Sequence, residues 1–246
     1  MPAAMFPHAA VLIPAAFATS VVSGTIGMGG GIVLLAVMAQ YFPPATLIPL
    51  HGVIQLASNS SRVLYGFKHV ERRIMARYAA GAAVGAALGS RVVARLPESW
   101  YALGLGLFLL AVTLLPKPKK ARDFRFKWAT VGAGATFLSL IAGATGPLIA
   151  PFFIHQDLDR RALVATKASC QLFTHLLKVS VFVVIGFALW PYLPLLAAMV
   201  AAVFAGNYLG NKIILHRVPE REFRLAFKGL LLVLSARMVW LGLRAF

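Results

Sequence analysis

The chain holds a single cysteine, Cys170, and only seven acidic residues against 24 Lys and Arg in 246 positions. One thiol excludes an intrachain disulfide and a thiolate metal cluster. The placement of the acids excludes more than their number. Glu71, Glu98, Asp123, Asp157, Asp159, Glu220 and Glu222 all fall in expected loops or segment ends, so no apolar segment interior carries a carboxylate. Cation pumps and carboxylate proton relays need such a group inside the membrane. Enzyme patterns are missing too. The glycines lack the Lys-Ser/Thr that completes a P-loop, and no dinucleotide fold surrounds them. The six His give no i, i+4 metal pair, and Asp159 reads as the cap of a helix starting near Arg160 rather than as a ligand beside Asp157. No cofactor or metal is expected. No Lys or Arg precedes the first apolar run, which argues against a cleaved signal peptide.

Apolar residues are what the chain has in quantity. Sixty per cent are hydrophobic and 13% charged, and apolar segments near the membrane-spanning length of about 20 residues recur throughout. The expected class is an all-α polytopic membrane protein, one membrane domain over 1–246. The net charge of +17 sits in short loops between apolar segments, where the positive-inside rule accounts for it without a nucleic-acid partner. The expected partners are a small anion and membrane lipid, with a homodimer left open.

The first apolar run, 9–42, is interrupted by Gly24-Thr25-Ile26-Gly27-Met28-Gly29-Gly30-Gly31. Unbroken, it would be roughly 50 Å long, against a hydrocarbon core of roughly 30 Å. Glycine costs a helix about 1 kcal/mol relative to alanine, so a break is expected here. Gly143-Ala144-Thr145-Gly146-Pro147 makes a second break in 128–155. A broken membrane helix offers unpaired N–H groups and a positive end, which suit an anion. A glycine-rich helix contact is the other reading.

The remaining segments are 46–67, 74–96 and 99–116, then 161–188, 194–215 and 224–244. This makes a first repeat, 1–116, a basic cytoplasmic connection, 117–127, and a second repeat, 128–246. Leu88-Gly89-Ser90-Arg91 matches Leu209-Gly210-Asn211-Lys212. Each pair closes a ladder of small residues: Gly81, Gly85, Gly89 and Ala202, Gly206, Gly210. Such ladders let membrane helices approach closely. At a constant offset of 116, His51, Gln55, Ser58, Asn59 and Arg62 fall on Lys167, Gln171, Thr174, His175 and Lys178.

Charge orients the halves. With eight crossing segments in a parallel 4+4 repeat, 11 Lys/Arg lie inside and 9 outside. If each broken segment is instead a re-entrant hairpin, each half has three full spans and the halves are inverted. The inside then holds 17 and the outside 3, with Arg62, Lys167, Lys178 and Arg237 within spans. The inverted arrangement is therefore preferred.

A membrane-embedded cation without an acid is costly, and an anionic ligand relieves that cost. Lys178 is the deepest; Arg62 and Lys167 are near enough to an interface to snorkel. Gln55, Ser58 and Arg62 share a helical face, as do Gln171, Thr174 and Lys178. Interhelical polar contact is the alternative for both faces.

The Gly27-Met28-Gly29-Gly30-Gly31 break, the Gly146-Pro147-Leu148-Ile149-Ala150-Pro151-Phe152 break and the stretch from Thr166 to Lys178 resemble the sulfite exporter TauE/SafE family. It is also called the toluene sulfonate uptake permease family. The resemblance runs over essentially the whole chain. It implies a bacterial inner-membrane, multi-pass carrier for sulfite or an organosulfonate such as sulfoacetate, working without a nucleotide. One departure is that many relatives carry a proline soon after the first glycine cluster, where Ile32-Val33-Leu34-Leu35-Ala36 has none. The expected substrate site comprises Thr25, Gly27, Gly29, Gly30, Gly31, Gln55, Ser58, Arg62, Thr145, Gly146, Gln171, Thr174 and Lys178. Export by alternating access is the expected function; a passive anion channel could use the same lining.

The charge count makes a topological prediction. In a background lacking Cys170, an impermeant thiol reagent applied outside should modify Pro2→Cys and Pro43→Cys but not His69→Cys or Lys119→Cys. Labelling that separates positions 2 and 43 would restore eight crossing segments.

Overall fold

Glycine divides the first apolar run. α1 (Phe6–Ile26) stops before the cluster and α2 (Gly30–Met38) restarts after it, with Gly29 at φ 97°. L-residues with a side chain avoid that region, so glycine is what the turn requires. The second break repeats the device: α6 (Lys127–Ala142) ends at Gly143, φ 76°, and α7 (Gly146–Ile154) follows. In both places the chain turns back. The His8 ring lies 4.8 Å from that of Tyr41, and the Trp128 ring 4.7 Å from that of Phe153. Each short helix therefore ends beside the start of the long one before it.

The other helices are α3 (Pro44–Gly66), α4 (Arg72–Val93), α5 (Glu98–Leu114), α8 (Arg160–Val184) and α9 (Leu193–Lys212). The computed structural model describes residues 6–26, 29–114, 124–154, 156, 158–212 and, beyond them, 229, 232, 233, 236, 239, 240 and 243. Among these residues all regular structure is helical, as the composition implied. The expected segment 224–244, with Arg237, lies largely outside the described residues.

Helix starts follow from local chemistry. Pro44 occupies the first turn of α3, where its missing N–H is no loss. Glu71 caps α4 by accepting from the Arg73 amide, 3.2 Å. Asp159 caps α8 by accepting from the Ala162 amide at 2.7 Å, as its position suggested. That amide, foremost, holds the Asp159 carboxyl below its ordinary range.

Among the described residues, only His8–Thr25 and Trp190–Lys212 are long and apolar enough to cross a membrane by length and composition alone. α5 and α6 are 17 and 16 residues long, just short of a full span. α3 and α8 are diluted by Arg62, Lys167, Lys178 and their polar neighbours. Their buried faces, not their average hydropathy, fit them to the bundle.

Three pairings hold the helices together: α4 along α6, α1 along α9 and α3 along α8. The two ladders build the first two. A Cβ on Gly81 or Gly85 would collide with the carbonyl of Ala129 or Ala133, and one on Gly206 or Gly210 with that of Phe17 or Val21. Numbering rises together across both interfaces, so each pair is parallel. α3 and α8 run opposite ways, since Gly52 meets Lys178 and Gly66 meets Ala165. α4 in turn runs with α8: the Glu71 amide donates to Thr166 Oγ1 and Tyr78 Oη is bonded to Thr174 Oγ1. The starts of α4, α6 and α8 and the ends of α3 and α9 thus share one end of the bundle. Arg72, Arg73, Arg77, Lys127, Arg161 and Lys212 lie there. Arg91 and Arg95 lie at the other end, beside Val184 and Ile185.

Gly85→Val should therefore force α4 from α6 and abolish a monodisperse, folded peak in size-exclusion chromatography. Gly134→Ala, whose Cβ would meet nothing within 4 Å, should elute and melt like the parent.

Candidate functional site

The two breaks meet at the centre, where α3 and α8 cross. Between them lies a cavity of about 30 Å³, walled by the turns of both hairpins and by one face each of α3 and α8. Gly29 and Gly31 come from the first break, and Ala144, Thr145, Gly146 and Pro147 from the second. α3 contributes His51, Gln55 and Arg62; α8 contributes Lys167, Gln171 and His175. Ser23 and Ile32 complete it. At an offset of 116, Gly29, Gly31, His51 and Gln55 fall on Thr145, Pro147, Lys167 and Gln171, so four pairs of positions at that spacing line the same cavity.

The wall is suited to negative charge. Both nine-residue helices, α2 and α7, begin at it. The first-turn amides of a helix have no intrahelical partner, and the helix dipole is positive there. Arg62 and Lys167 bring two cations and are only 9% and 2% exposed. Arg62 is oriented by Ser58 O at 3.1 Å and Asn59 Oδ1 at 2.9 Å. Lys167 makes no hydrogen bond or ion pair among the described residues. None of the buried polar residues described is an Asp or Glu. Gln55 and Gln171 face the glycines: a Cβ on Gly31 would lie 2.8 Å from Gln55 Oε1, and one on Gly146 3.1 Å from Gln171 Nε2.

Seven of the site residues expected from sequence come together here: Gly29, Gly31, Gln55, Arg62, Thr145, Gly146 and Gln171. Gly27 lies outside the described residues. The remaining five are turned to other work. Thr25 Oγ1 lies 2.8 Å from Val21 O and 3.0 Å from Gly210 O, which ties α1 to α9. Gly30 lies against Thr19 and Ser23 of α1. Ser58 accepts from Asn207 Nδ2, through both its carbonyl and its hydroxyl at 3.2 Å. Thr174 bonds Tyr78 Oη at 2.9 Å and Thr136 Oγ1 at 3.0 Å. Lys178, wholly buried, donates to Gly143 O at 2.6 Å and is not on the wall.

A family model described as Sulfite exporter TauE/SafE matches residues 12–238. The chain belongs to this family. TauE/SafE is a family of transporters rather than enzymes, so the protein is a multi-pass membrane transporter of the sulfite exporter type. No curated protein and no solved structure matches the chain. The site expected from sequence left out four polar members of the wall of this TauE/SafE cavity: Ser23, His51, Lys167, which was read as a snorkelling cation, and His175. The offset had already aligned His51 with Lys167, and the recurrence of a polar pair beside both breaks was the signal available.

The glycines of the two breaks should separate by experiment. Gly30→Ala collides with the Thr19 carbonyl and should lower the melting temperature sharply. Gly146→Ala meets only the flexible Gln171 amide and should melt near the parent. Its binding of sulfite, followed by calorimetry, should be weakened, because the added methyl enters the cavity.

Proposed function

We propose that this transporter exports sulfite, or a small organosulfonate, across the bacterial inner membrane by alternating access. The observation that carries the proposal is the cavity itself: two buried cations and two helix N-termini on one wall, with no buried carboxylate among the described residues. Sulfite and sulfonate oxygens are good acceptors, and several neutral donors with one or two cations suit them. The volume favours the smaller anion, since a water needs roughly 10–15 Å³ of such space. An organosulfonate would require the halves to part further.

The packing supports an inverted repeat of three spans and one re-entrant hairpin per half. Exchanging the halves converts the α1–α9 contact into the α6–α4 contact and returns α3–α8 to itself. Equivalent helices α3 and α8 run opposite ways, as inversion requires. In this reading 1–116 and 128–246 are the two repeats of one membrane domain, joined by 117–127 on the cytoplasmic side, with lipid around them. The halves would rock about the cavity, presenting it first to one side and then to the other. A passive channel with the same lining would carry measurable current through single openings; a carrier would not.

Lys167 and Arg62 would hold the anion's charge, while Lys178 would act one layer behind, on the end of α6. Lys167→Met should weaken sulfite binding roughly 10- to 150-fold, the loss of one charge-assisted hydrogen bond. Lys167→Arg should retain part of the affinity. Lys178→Met should chiefly lower stability, because it removes the short hydrogen bond to the Gly143 carbonyl and leaves only the longer one from Ser139 Oγ. Unchanged sulfite binding and flux in Lys167→Met would reject this assignment of the charge.

A further inference from the structure

Two histidines on the cavity wall have a nitrogen without a partner. The His51 and His175 rings lie 6.3 Å apart, nearly perpendicular, and are 0% and 2% exposed. His51 Nε2 is 2.8 Å from Gly31 O. A carbonyl can only accept, so Nε2 carries the hydrogen of that bond. In the neutral ring Nδ1 is then a bare lone pair, and it has no hydrogen-bond partner. His175 Nδ1 is likewise without one. Leaving a polar atom buried and unsatisfied costs about 1–3 kcal/mol, and here it happens twice on one small cavity.

We propose that His51, with His175 beside it, is a proton-binding site that is filled when an anion occupies the cavity. The proposal rests on the anion-exporter reading above and names the ion that accompanies the anion. In the step, a hydronium ion from the solvent gives its proton to the lone pair of imidazole Nδ1 and is left as water; no electrons are exchanged. The charged groups facing the pair set the linkage. From α3 comes Arg62, and from α8 come Lys167 and Lys178. α4 brings only the Tyr78 phenol, through Thr174. α1, α2, α6, α7 and α9 bring no titratable side chain among the described residues, only Ser23, Ser139, Thr145, Asn207 and backbone. With the cavity empty, three cations oppose a fourth charge on the imidazoles. An anion of one or two charges cancels that opposition and favours the imidazolium. The Gly31 and Gly143 carbonyls both face the His51 ring, so a second N–H would find an acceptor. Each anion would then cross with a proton, and the translocated charge would be one unit less negative.

The test is calorimetric titration of sulfite into the purified full-length protein, in two buffers of equal pH but different ionisation enthalpy. H51Q keeps a donor for Gly31 O but lacks the basic nitrogen; H175Q removes the second base. At neutral pH the wild type should take up about one proton more per sulfite bound than H51Q, with H175Q between them. Sulfite's own protonation is common to all three and cancels in the difference. One linked proton makes affinity fall by up to about tenfold per pH unit as pH rises, and the variants should lose that slope. Equal uptake in the wild type and both variants would overturn the proton site while leaving sulfite binding intact. If H51Q does not fold, uptake by H175Q equal to that of the wild type overturns it. A wild type that binds no sulfite at all defeats the exporter reading first, and this proposal with it.

Discussion

A helix that ends inside a hydrocarbon layer leaves backbone groups that lipid cannot satisfy, and this fold has four such ends at its centre. α1 and α6 stop there; α2 and α7 start there. The stopping end of α6 is met by Lys178, whose ammonium takes the Gly143 carbonyl. The starting end of α2 is steadied by His51, which donates to Gly31 O. The amides that remain open face a cavity instead of lipid. Irregular backbone at membrane depth is tolerable on those terms only, and most of the packing serves to keep it enclosed.

That enclosure depends on close approach. At the ladders the backbones of α4 and α6, and of α1 and α9, come so near that a single methyl group would strike a carbonyl. The gain is dispersion contact along whole helices, the main attraction available between helices in lipid. It also confines α3 and α8 to the middle, where their polar faces are shielded on both sides. Asn207 of α9 and Tyr78 of α4 fasten those faces, at Ser58 and at Thr174.

Much of this was legible in the residues. Five glycines in eight positions marked a break, and the four-residue spacing of Gly81, Gly85 and Gly89 marked a contact. The matched letters at a constant offset marked the polar faces of α3 and α8, which pack against each other. What was not legible was the division of labour within a polar face. Gln55 and Ser58 are three residues apart on one helical stripe, yet one meets the cavity and the other meets α9. Lys167 and Lys178 are three turns apart, and the shallower one lines the wall. Depth along a span was a poor guide because the cavity lies where the two breaks meet. That point is set by the pairing of α1 with α9 and of α4 with α6, contacts between residues far apart in sequence.

Those long-range pairings bear on how the protein is made. The hydrogen-bonding contact between Thr25 and Gly210 spans 185 residues. At about 5–20 residues per second, α1 waits roughly 10–40 s on the ribosome's clock before α9 emerges. It is one of only two helices described here that are apolar enough to stand in a membrane unaided, and α9 is the other. The early helix can therefore dwell in lipid, and the late one can enter without help. The charged α3 and α8, by contrast, are translated between them and need a partner at once. Among the described helices, the order of synthesis thus places the two most lipid-tolerant members first and last.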